Sequence, residues 1–195
     1  FVTTEVKGDR NFFNMMVRPG LDKSSLSIAN RVSSSRDTDF GSKSSYRMGL
    51  ELEFVLPFNK NKWSLLVEPT YHSFNVTPEM KAAFFYDVSV DYTSIEIPIG
   101  IRHYFFIDAK SKVFLNWLYM IDLSMGSTID FSVNNNLVDS YDIGTRGSSV
   151  FGGGYNYNNK FNIEIRYGSR DILNSYSFWN SEYSTLSLIL GVAIF

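Results

Sequence analysis

The chain has 195 residues and a formal net charge of −2, a length that suits one domain and a charge that does not indicate a nucleic-acid-binding surface. It contains no cysteine, which excludes a disulfide framework and thiolate metal sites. Aromatic residues make up 16% of the chain, a proportion typical of proteins whose rings lie at a membrane interface. No window of about 18 consecutive apolar residues predicts a transmembrane helix. We interpret the opening FVTTEVKGDR, which has no signal-peptide pattern, as the start of a mature or trimmed product.

Alternation of apolar and polar residues, the period of a β-strand, recurs eight times, and helical periodicity is almost absent. The predicted strands are 11–30, 46–58, 63–74, 94–105, 113–124, 148–157, 161–170 and 184–195. Pro69 and Pro98 fall inside two of them, where each removes a ladder hydrogen bond and is expected to require a local bulge. The run Gly152-Gly153-Gly154 predicts a bend, or a place where a bulky neighbour crosses.

Short and long connections alternate along the chain. The short ones are 59–62, 107–112 and 158–160, and the long ones are 31–45, 75–93, 125–147 and 171–182. In an antiparallel meander this order places all short turns at one end, and an even number of strands places both termini there. The pattern is typical of outer-membrane barrels, which have short periplasmic turns and long external loops. A short helix is compatible with the segment 75–87, which we interpret as a loop that packs on itself.

The segment YRMGLELEF, 46–54, raises the question of which face of the strands points inward. Its apolar residues alternate with Arg47, Glu51 and Glu53. Charges of both signs recur at the polar positions, and the side-chain-filled interior of an eight-stranded barrel could pair them. The predicted luminal charge network comprises Arg18, Asp22, Arg47, Glu51, Glu53, Glu68, Glu96, Arg102, Asp122, Glu164, Arg166 and Arg170.

The apolar faces would then point outward, towards lipid or a partner barrel. Aromatic residues flank the tight turns, as in an interfacial girdle, and the apolar runs match a band of about 25 Å. The terminal Phe195 fits the signal that the assembly machinery reads, although the alternation of the last strand places it on the other face. His103 falls on the apolar face, where we expect it near the turn-side interface. The predicted lipid- or partner-facing residues are Leu50, Leu52, Phe54, Trp63, Ile97, Ile99, Trp117, Ile163 and Ile165. A soluble lipocalin-like barrel, with the faces reversed, stays open as an alternative.

Catalytic constellations are weak in this sequence. His72 is predicted to be luminal and close to Glu68, and Ser64 or Ser73 could complete a hydrolase triad, but the spacing has no specificity. Glu51 and Glu53 could suggest acid–base chemistry, yet arginines in the same lumen favour a structural ion-pair network. Metal-ligand spacings and phosphate-binding loops are missing, so no cofactor is predicted. An open pore is not expected, because large side chains fill so small a barrel.

Three segments resemble a known family. The runs GLELEFVLPFNKNKWSLLVEPTYHSF, IEIPIGIRHYFF and LSLILGVAIF are similar to small outer-membrane barrels of Bacteroidota, the PorT-type relatives of the OmpA/OmpX-like barrels. The resemblance covers most of the chain, and its motifs are specific for architecture rather than for function. It implies a non-enzymatic protein, and some members are accessory subunits of outer-membrane machines such as type IX secretion or barrel assembly.

The sequence therefore predicts an all-β, eight-stranded antiparallel up-and-down transmembrane barrel. We expect a periplasmic N-terminal segment over 1–10 and the barrel over 11–195, in the bacterial outer membrane. The expected partners are outer-membrane lipids and other outer-membrane or periplasmic proteins, and not nucleic acid. The leading functional hypothesis is a structural or accessory subunit of an outer-membrane complex. A surface ligand-binding or adhesion barrel that acts through its loops is the alternative, and a lipid-modifying enzyme is a third.

Overall fold

The computed structural model describes residues 11–30, 38–76, 87–125, 127–133, 136–142, 146–171 and 179–194. The segment 1–10, most of the expected helix in 75–87 and Phe195 lie outside these residues. The described strands are β1 (Phe13–Asn30), β2 (Thr38–Val55), β3 (Trp63–Val67), β4 (Thr70–Val76), β5 (Asp87–Phe106), β6 (Ser111–Ser124), β7 (Thr128–Val133), β8 (Asn136–Asp142), β9 (Arg146–Tyr157), β10 (Phe161–Arg170) and β11 (Trp179–Ala193). Within the same ranges, no helix has the length and apolar character needed to cross a membrane.

The strands close into a ring of eight positions. Neighbours pair antiparallel in chain order, and β1 pairs with both β2 and β11, so that Val17 lies opposite Leu50 on one side and Val192 on the other. β3 and β4 share the third position, since both pair with β2 and with β5. β7 and β8 form a hairpin beyond the ends of β6 and β9, and β7 pairs with the start of β5. The eight-stranded antiparallel up-and-down barrel predicted from the sequence is confirmed.

The two prolines break hydrogen bonds without inserting a bulge, contrary to the expectation from the sequence. The pairs Val67–Ile99 and Thr70–Glu96 keep the same register on either side of the gap between β3 and β4. Glu68 N–H still donates to the Pro98 carbonyl at 3.0 Å, but Pro98 has no N–H to return. The Thr70 hydroxyl donates to the Glu68 carbonyl at 3.0 Å instead. A side chain therefore satisfies the buried acceptor, and the ladder needs no extra residue.

The strands extend well into the segments that the sequence assigned to long links. β2 begins at Thr38 rather than at residue 46, β5 at Asp87 rather than at 94, and most of 125–147 belongs to β7, β8 and the start of β9. These extensions are rich in serine, threonine and aspartate, so the apolar alternation that reveals a strand is missing although the main-chain ladder continues. A strand of 20 residues such as β5, at about 3.3 Å per residue and a tilt near 40°, spans roughly 50 Å, about twice the apolar band of a membrane barrel.

The short turns and both ends of the described barrel lie together. Val55 N–H donates to the Phe12 carbonyl and Ile194 N–H to the Met15 carbonyl, each at 2.8 Å. In the turn between β5 and β6, the Asp108 carboxylate accepts hydrogen bonds from the backbone N–H groups of Lys110 at 2.7 Å and Ser111 at 2.8 Å. The pKa of Asp108 is lowered below its ordinary value by these hydrogen bonds. The bond from the Lys110 N–H has the largest effect, and those from the Ser111 hydroxyl and N–H come next. At this end of the barrel, compact hydrogen-bonded turns connect neighbouring strands.

Candidate functional site

The inward positions of the barrel carry a large set of buried charges. All twelve side chains that the sequence assigns to the lumen lie inside the barrel, and none is more than 9% exposed. They come from β1, β2, β5, β6 and β10 and from the gap between β3 and β4, so residues far apart in the chain meet at the barrel axis. Burial of so many ions is tolerable only when each is paired and hydrogen-bonded. The pairing pattern therefore determines what this interior can do.

Glu51 is the centre of the network. Arg102 grips its carboxylate at two points, with Nη1–Oε1 at 2.9 Å and Nη2–Oε2 at 2.7 Å. Arg18 donates to the same Oε2 atom and, through its other terminal nitrogen, to Glu164 Oε2 at 2.6 Å. All four of these side chains are fully buried. Two arginines and two carboxylates from β1, β2, β5 and β10 thus form one cluster. Its hydrogen bonds are charge-assisted, and such bonds are the strongest that proteins form.

A second group of ion pairs extends this cluster towards the end of the barrel opposite the short turns. Arg166 donates to Glu164 Oε1 and to Glu68 Oε2, each at 2.7 Å. Arg47 binds the other oxygen of Glu68 at 3.0 Å and the hydroxyl of Thr70 at 3.1 Å. Glu68, in the gap between β3 and β4, thus lies between Arg47 on the neighbouring strand β2 and Arg166 on β10 across the barrel.

A third group surrounds Arg170. Its Nη2 atom lies 3.0 Å from Glu96 Oε1 and 3.5 Å from Asp122 Oδ2. Its guanidinium also lies over the Tyr183 ring, 4.8 Å from the centroid, in a cation–π contact. Tyr183 was not predicted as part of the site, because the predicted last strand begins at Ser184 whereas β11 begins at Trp179.

Uncharged inward residues complete the lumen, although they were not among the predicted residues of the charge network. Tyr104 donates to Glu53 Oε1 at 2.8 Å, and the Asn14 amide donates to the other oxygen at 3.1 Å. The Arg102 guanidinium lies 4.2 Å from the centroid of the Phe114 ring. Their inward parity was visible in the alternation, but only closure of the barrel reveals which charges they contact.

The glycine run on β9 makes room for these large groups. A Cβ atom on Gly152 would lie 2.5 Å from Glu164 Oε1, and one on Gly154 would lie 2.5 Å from the Phe114 ring and 2.2 Å from the Ile163 carbonyl. β9 runs unbroken through the glycines. Of the two possibilities drawn from the sequence, the crossing of a bulky neighbour is therefore confirmed and the bend is wrong.

His72 is luminal, but its neighbours differ from those expected. Its Nδ1 atom lies 2.9 Å from Asp22 Oδ2 and its Nε2 atom 3.0 Å from the Tyr183 hydroxyl. The carboxylate partner is thus Asp22 on β1, rather than Glu68, which lies at the same position of the ring as His72. Nε2, the nitrogen that would serve a nucleophile, contacts a phenol rather than a serine. The geometry is that of a satisfied buried histidine.

Little free space remains in this part of the lumen. A cavity of about 20 Å³ is lined by Arg47, Glu96, Arg166, Arg170 and Tyr183. That volume holds roughly one water molecule. At this level the described side chains fill the interior rather than lining a channel.

The outward positions carry the apolar side chains. Ile99, Trp117, Ile163 and Ile165 are between 43% and 59% exposed. The remaining predicted residues are half-buried: Leu50, Leu52, Phe54, Trp63 and Ile97. His103 lies on this face at the turn end, between the rings of Trp63 at 4.5 Å and Phe105 at 4.6 Å. Large apolar side chains exposed in such numbers require an apolar environment.

Known structures of the same architecture support this description. The attachment invasion locus protein Ail of Yersinia pestis superposes with a TM-score of 0.51 at 15% identity, covering 93% of this chain and 98% of that chain. A structure of Ail with the heparin analogue sucrose octasulfate gives 0.51 at 14% identity, covering 94% and 100%. The outer membrane protein OprG from Pseudomonas aeruginosa gives 0.50 at 13% identity, covering 97% and 99%. The fold is that of the small outer-membrane barrels. No family model matches the chain, and no curated protein matches it significantly.

Proposed function

We propose that this barrel lies in a bacterial outer membrane, with its short turns and both termini in the periplasm. The outward apolar band supports a transmembrane location, because its exposed isoleucines, leucines and aromatics would otherwise face water. The aromatic contacts of Trp63, His103 and Phe105 support a membrane interface at the short-turn end. The resemblance to PorT-type barrels of Bacteroidota agrees with this location.

We further propose that the protein is a non-enzymatic accessory subunit of an outer-membrane complex, of the kind that serves protein secretion or barrel assembly. The observation that carries this proposal is the filled, ion-paired lumen, which leaves the outer wall and the rims as surfaces for binding. On the outer wall, Trp117 lies opposite Phe151, and these side chains are 50% and 59% exposed. Gly153 lies in the neighbouring outward position opposite Leu115, and its missing side chain would let a second surface approach closely.

Site-specific photocrosslinking from this wall tests the accessory role. A photoreactive amino acid at position 117 is expected to capture an outer-membrane protein in intact cells, because exposed aromatics beside a small residue suit protein–protein packing. The matched control is the same label at Leu190, an outward residue on β11 that is 52% exposed. Isolation of a lone monomer in mild detergent, with only lipid adducts at both positions, would overturn the proposal.

A second candidate is a surface-binding or adhesion role that acts through the long-link end. The extended strands and the β7–β8 hairpin support it, since they would project well beyond the membrane band. The name of the structurally similar Yersinia pestis protein refers to attachment and invasion. Replacement of 128–142 by a short Asn-Gly turn should abolish surface binding and leave heat-modifiable gel migration intact. Retained binding by this variant would count against the candidate.

A lipid-modifying enzyme is the least supported candidate. Both ring nitrogens of His72 are occupied by Asp22 and Tyr183, and His72 is only 1% exposed. Cells that produce His72→Ala should keep the membrane lipid composition of cells with the wild-type protein. A lipid change in that variant, absent from the structural control Tyr183→Phe, would point to catalysis.

A further inference from the structure

The outer face of the β1–β11 pair changes its chemistry over four successive residue pairs. Moving away from the short turns, Leu21 lies opposite Leu188 and Lys23 opposite Leu186. The next two outward pairs are Ser25 with Ser184 and Ser27 with Glu182. The outward side chains therefore change from aliphatic to cationic, then to hydroxyl-bearing, and finally to acidic. Successive outward pairs lie about 6.6 Å apart along the strand.

Two grooves follow this gradient along the strand pair. The outward residues that line the first, of about 340 Å³, are Leu21, Lys23, Ser44, Ile165, Leu186 and Leu188, and the buried Asp22 and Ser187 complete its lining. The second, of about 320 Å³, is lined by Ser25, Ser27, Asp39, Gly41, Glu182 and Ser184. Each volume falls at the lower end of the range for small-molecule sites.

The first groove arises from a change in side-chain size on β2. Tyr46 lies opposite Leu21 and projects from the wall, where it is 81% exposed, whereas the small Ser44 lies opposite Lys23 and lines the groove. On the other side, Ile165 and Leu188 are 59% and 45% exposed, so the floor of the groove is aliphatic. The shape and chemistry suit a hydrocarbon chain.

Lys23 supplies the charge at the upper rim of this groove. Its side chain is exposed, and it has no carboxylate partner among the residues that the structure describes. The next groove already holds two carboxylates, Asp39 and Glu182, which would repel a second anion there. Those carboxylates and the neighbouring hydroxyls instead suit the hydroxyl groups of a sugar.

The polar groove is ordered before any ligand arrives. The hydroxyls of Ser25 and Ser184 form a hydrogen bond of 2.8 Å across the strand pair. The Asp39 carboxylate accepts a hydrogen bond of 2.8 Å from Gly41 N–H, at a position with φ of +61° that a glycine adopts without strain. The Asp39 oxygen that accepts this hydrogen bond is thereby held in place, and Asp39 is one of the residues that line the groove.

We propose that this face binds a phosphorylated glycolipid of the surrounding leaflet. Its acyl chain would occupy the aliphatic groove, its phosphate would contact Lys23, and its sugar hydroxyls would contact Ser25, Asp39 and Glu182. The proposal rests on the outer-membrane location proposed above. An ordinary phospholipid would fill the lower groove and leave the sugar-binding groups unused.

Native mass spectrometry of the full chain released from nanodiscs tests this assignment. The lipids compared are a phosphorylated, acylated glucosamine disaccharide, the same disaccharide without phosphate, and phosphatidylglycerol. The first is expected to be retained best. Lys23→Gln should lower its retention by about 5-fold, the effect of one lysine at a membrane surface. The matched control Lys110→Gln, in a turn at the other end, should retain it like the wild type.

A variant that fills the groove gives a second readout. Ser44→Trp should lower retention of both disaccharides, because the indole would occupy the space of the acyl chain. Equal retention of all three lipids, or wild-type retention in both Lys23→Gln and Ser44→Trp, overturns the assignment. Heat-modifiable migration of the same samples separates the two proposals. A chain that fails to insert contradicts the membrane location and the lipid site together, whereas an inserted barrel without selective retention contradicts the lipid site alone.

Discussion

Arg102 on β5 and Glu51 on β2 form a two-point ion pair across the lumen, with N–O distances of 2.9 and 2.7 Å and no exposure of either side chain. The third barrel position separates their strands, so the pair joins parts of the wall that share no main-chain hydrogen bonds. Arg18 brings β1 and β10 into the same cluster through Glu51 and Glu164. Ion pairs across the lumen therefore stabilise the barrel in addition to the main-chain hydrogen bonds between neighbouring strands.

Replacing Glu51 by leucine should weaken the barrel severely. Arg18 and Arg102 would keep their buried charges and lose the carboxylate that they share, a loss of about 3–5 kcal/mol. Urea unfolding of the refolded protein in detergent micelles measures the change. The matched control is Leu50→Ala, one residue along but outward, which should be nearly neutral in detergent. A larger loss for Leu50→Ala than for Glu51→Leu would reverse the assigned facing.

Thr70→Val should destabilise the protein by about 1–3 kcal/mol, because the Glu68 carbonyl would lose the hydroxyl that replaces the N–H absent from Pro98. Thr70→Ser keeps the hydroxyl and should behave like the wild type. Pro98→Ala restores a main-chain donor opposite Glu68, so adding it to Thr70→Val should recover part of the loss. The unfolding free energies of the single and double variants form a double-mutant cycle, and strict additivity would contradict this account.

Adjacent glycines on β9 should respond differently to the same substitution. Gly154→Ala would place a methyl group 2.2 Å from the Ile163 carbonyl and should cost about 1–3 kcal/mol through forced backbone shifts. Gly153→Ala points outward, where the nearest atom is the tip of the flexible Leu115 side chain at 3.3 Å, and should be tolerated. Thermal unfolding in micelles compares the two. Similar midpoints would mean that the inward glycine is not needed for space.

Arginine substitutions along β10 should report the edge of the apolar band. Ile163→Arg places a charge within the outward apolar face and should cost about 2–4 kcal/mol in a bilayer. Ser169→Arg, six residues further along the same strand and also exposed, should cost less than about 1 kcal/mol. Folding free energies in lipid vesicles provide the comparison. Equal costs would favour a soluble barrel.

The sequence predicts the strand faces well because alternation with period two is a local property. Arg102 and Ile101 can be assigned to opposite faces from their neighbours alone. The partner of each charge depends on closure of the barrel. The contact between Asp22 and His72 was therefore not predicted, since β1 and β4 come together only in the folded ring. The extension of β2 to Thr38 was also missed, because serine-rich strands lack an apolar face.

The part of the wall that continues beyond the apolar band has a further consequence for recognition. Its residues in β2, β5 and the β7–β8 hairpin are already held by main-chain hydrogen bonds, so much of their conformational entropy is lost when the barrel folds. A partner that docks on these edges would not have to immobilise them. For a given contact area, these preorganised strand ends would bind a partner more tightly than loops that must be ordered during association.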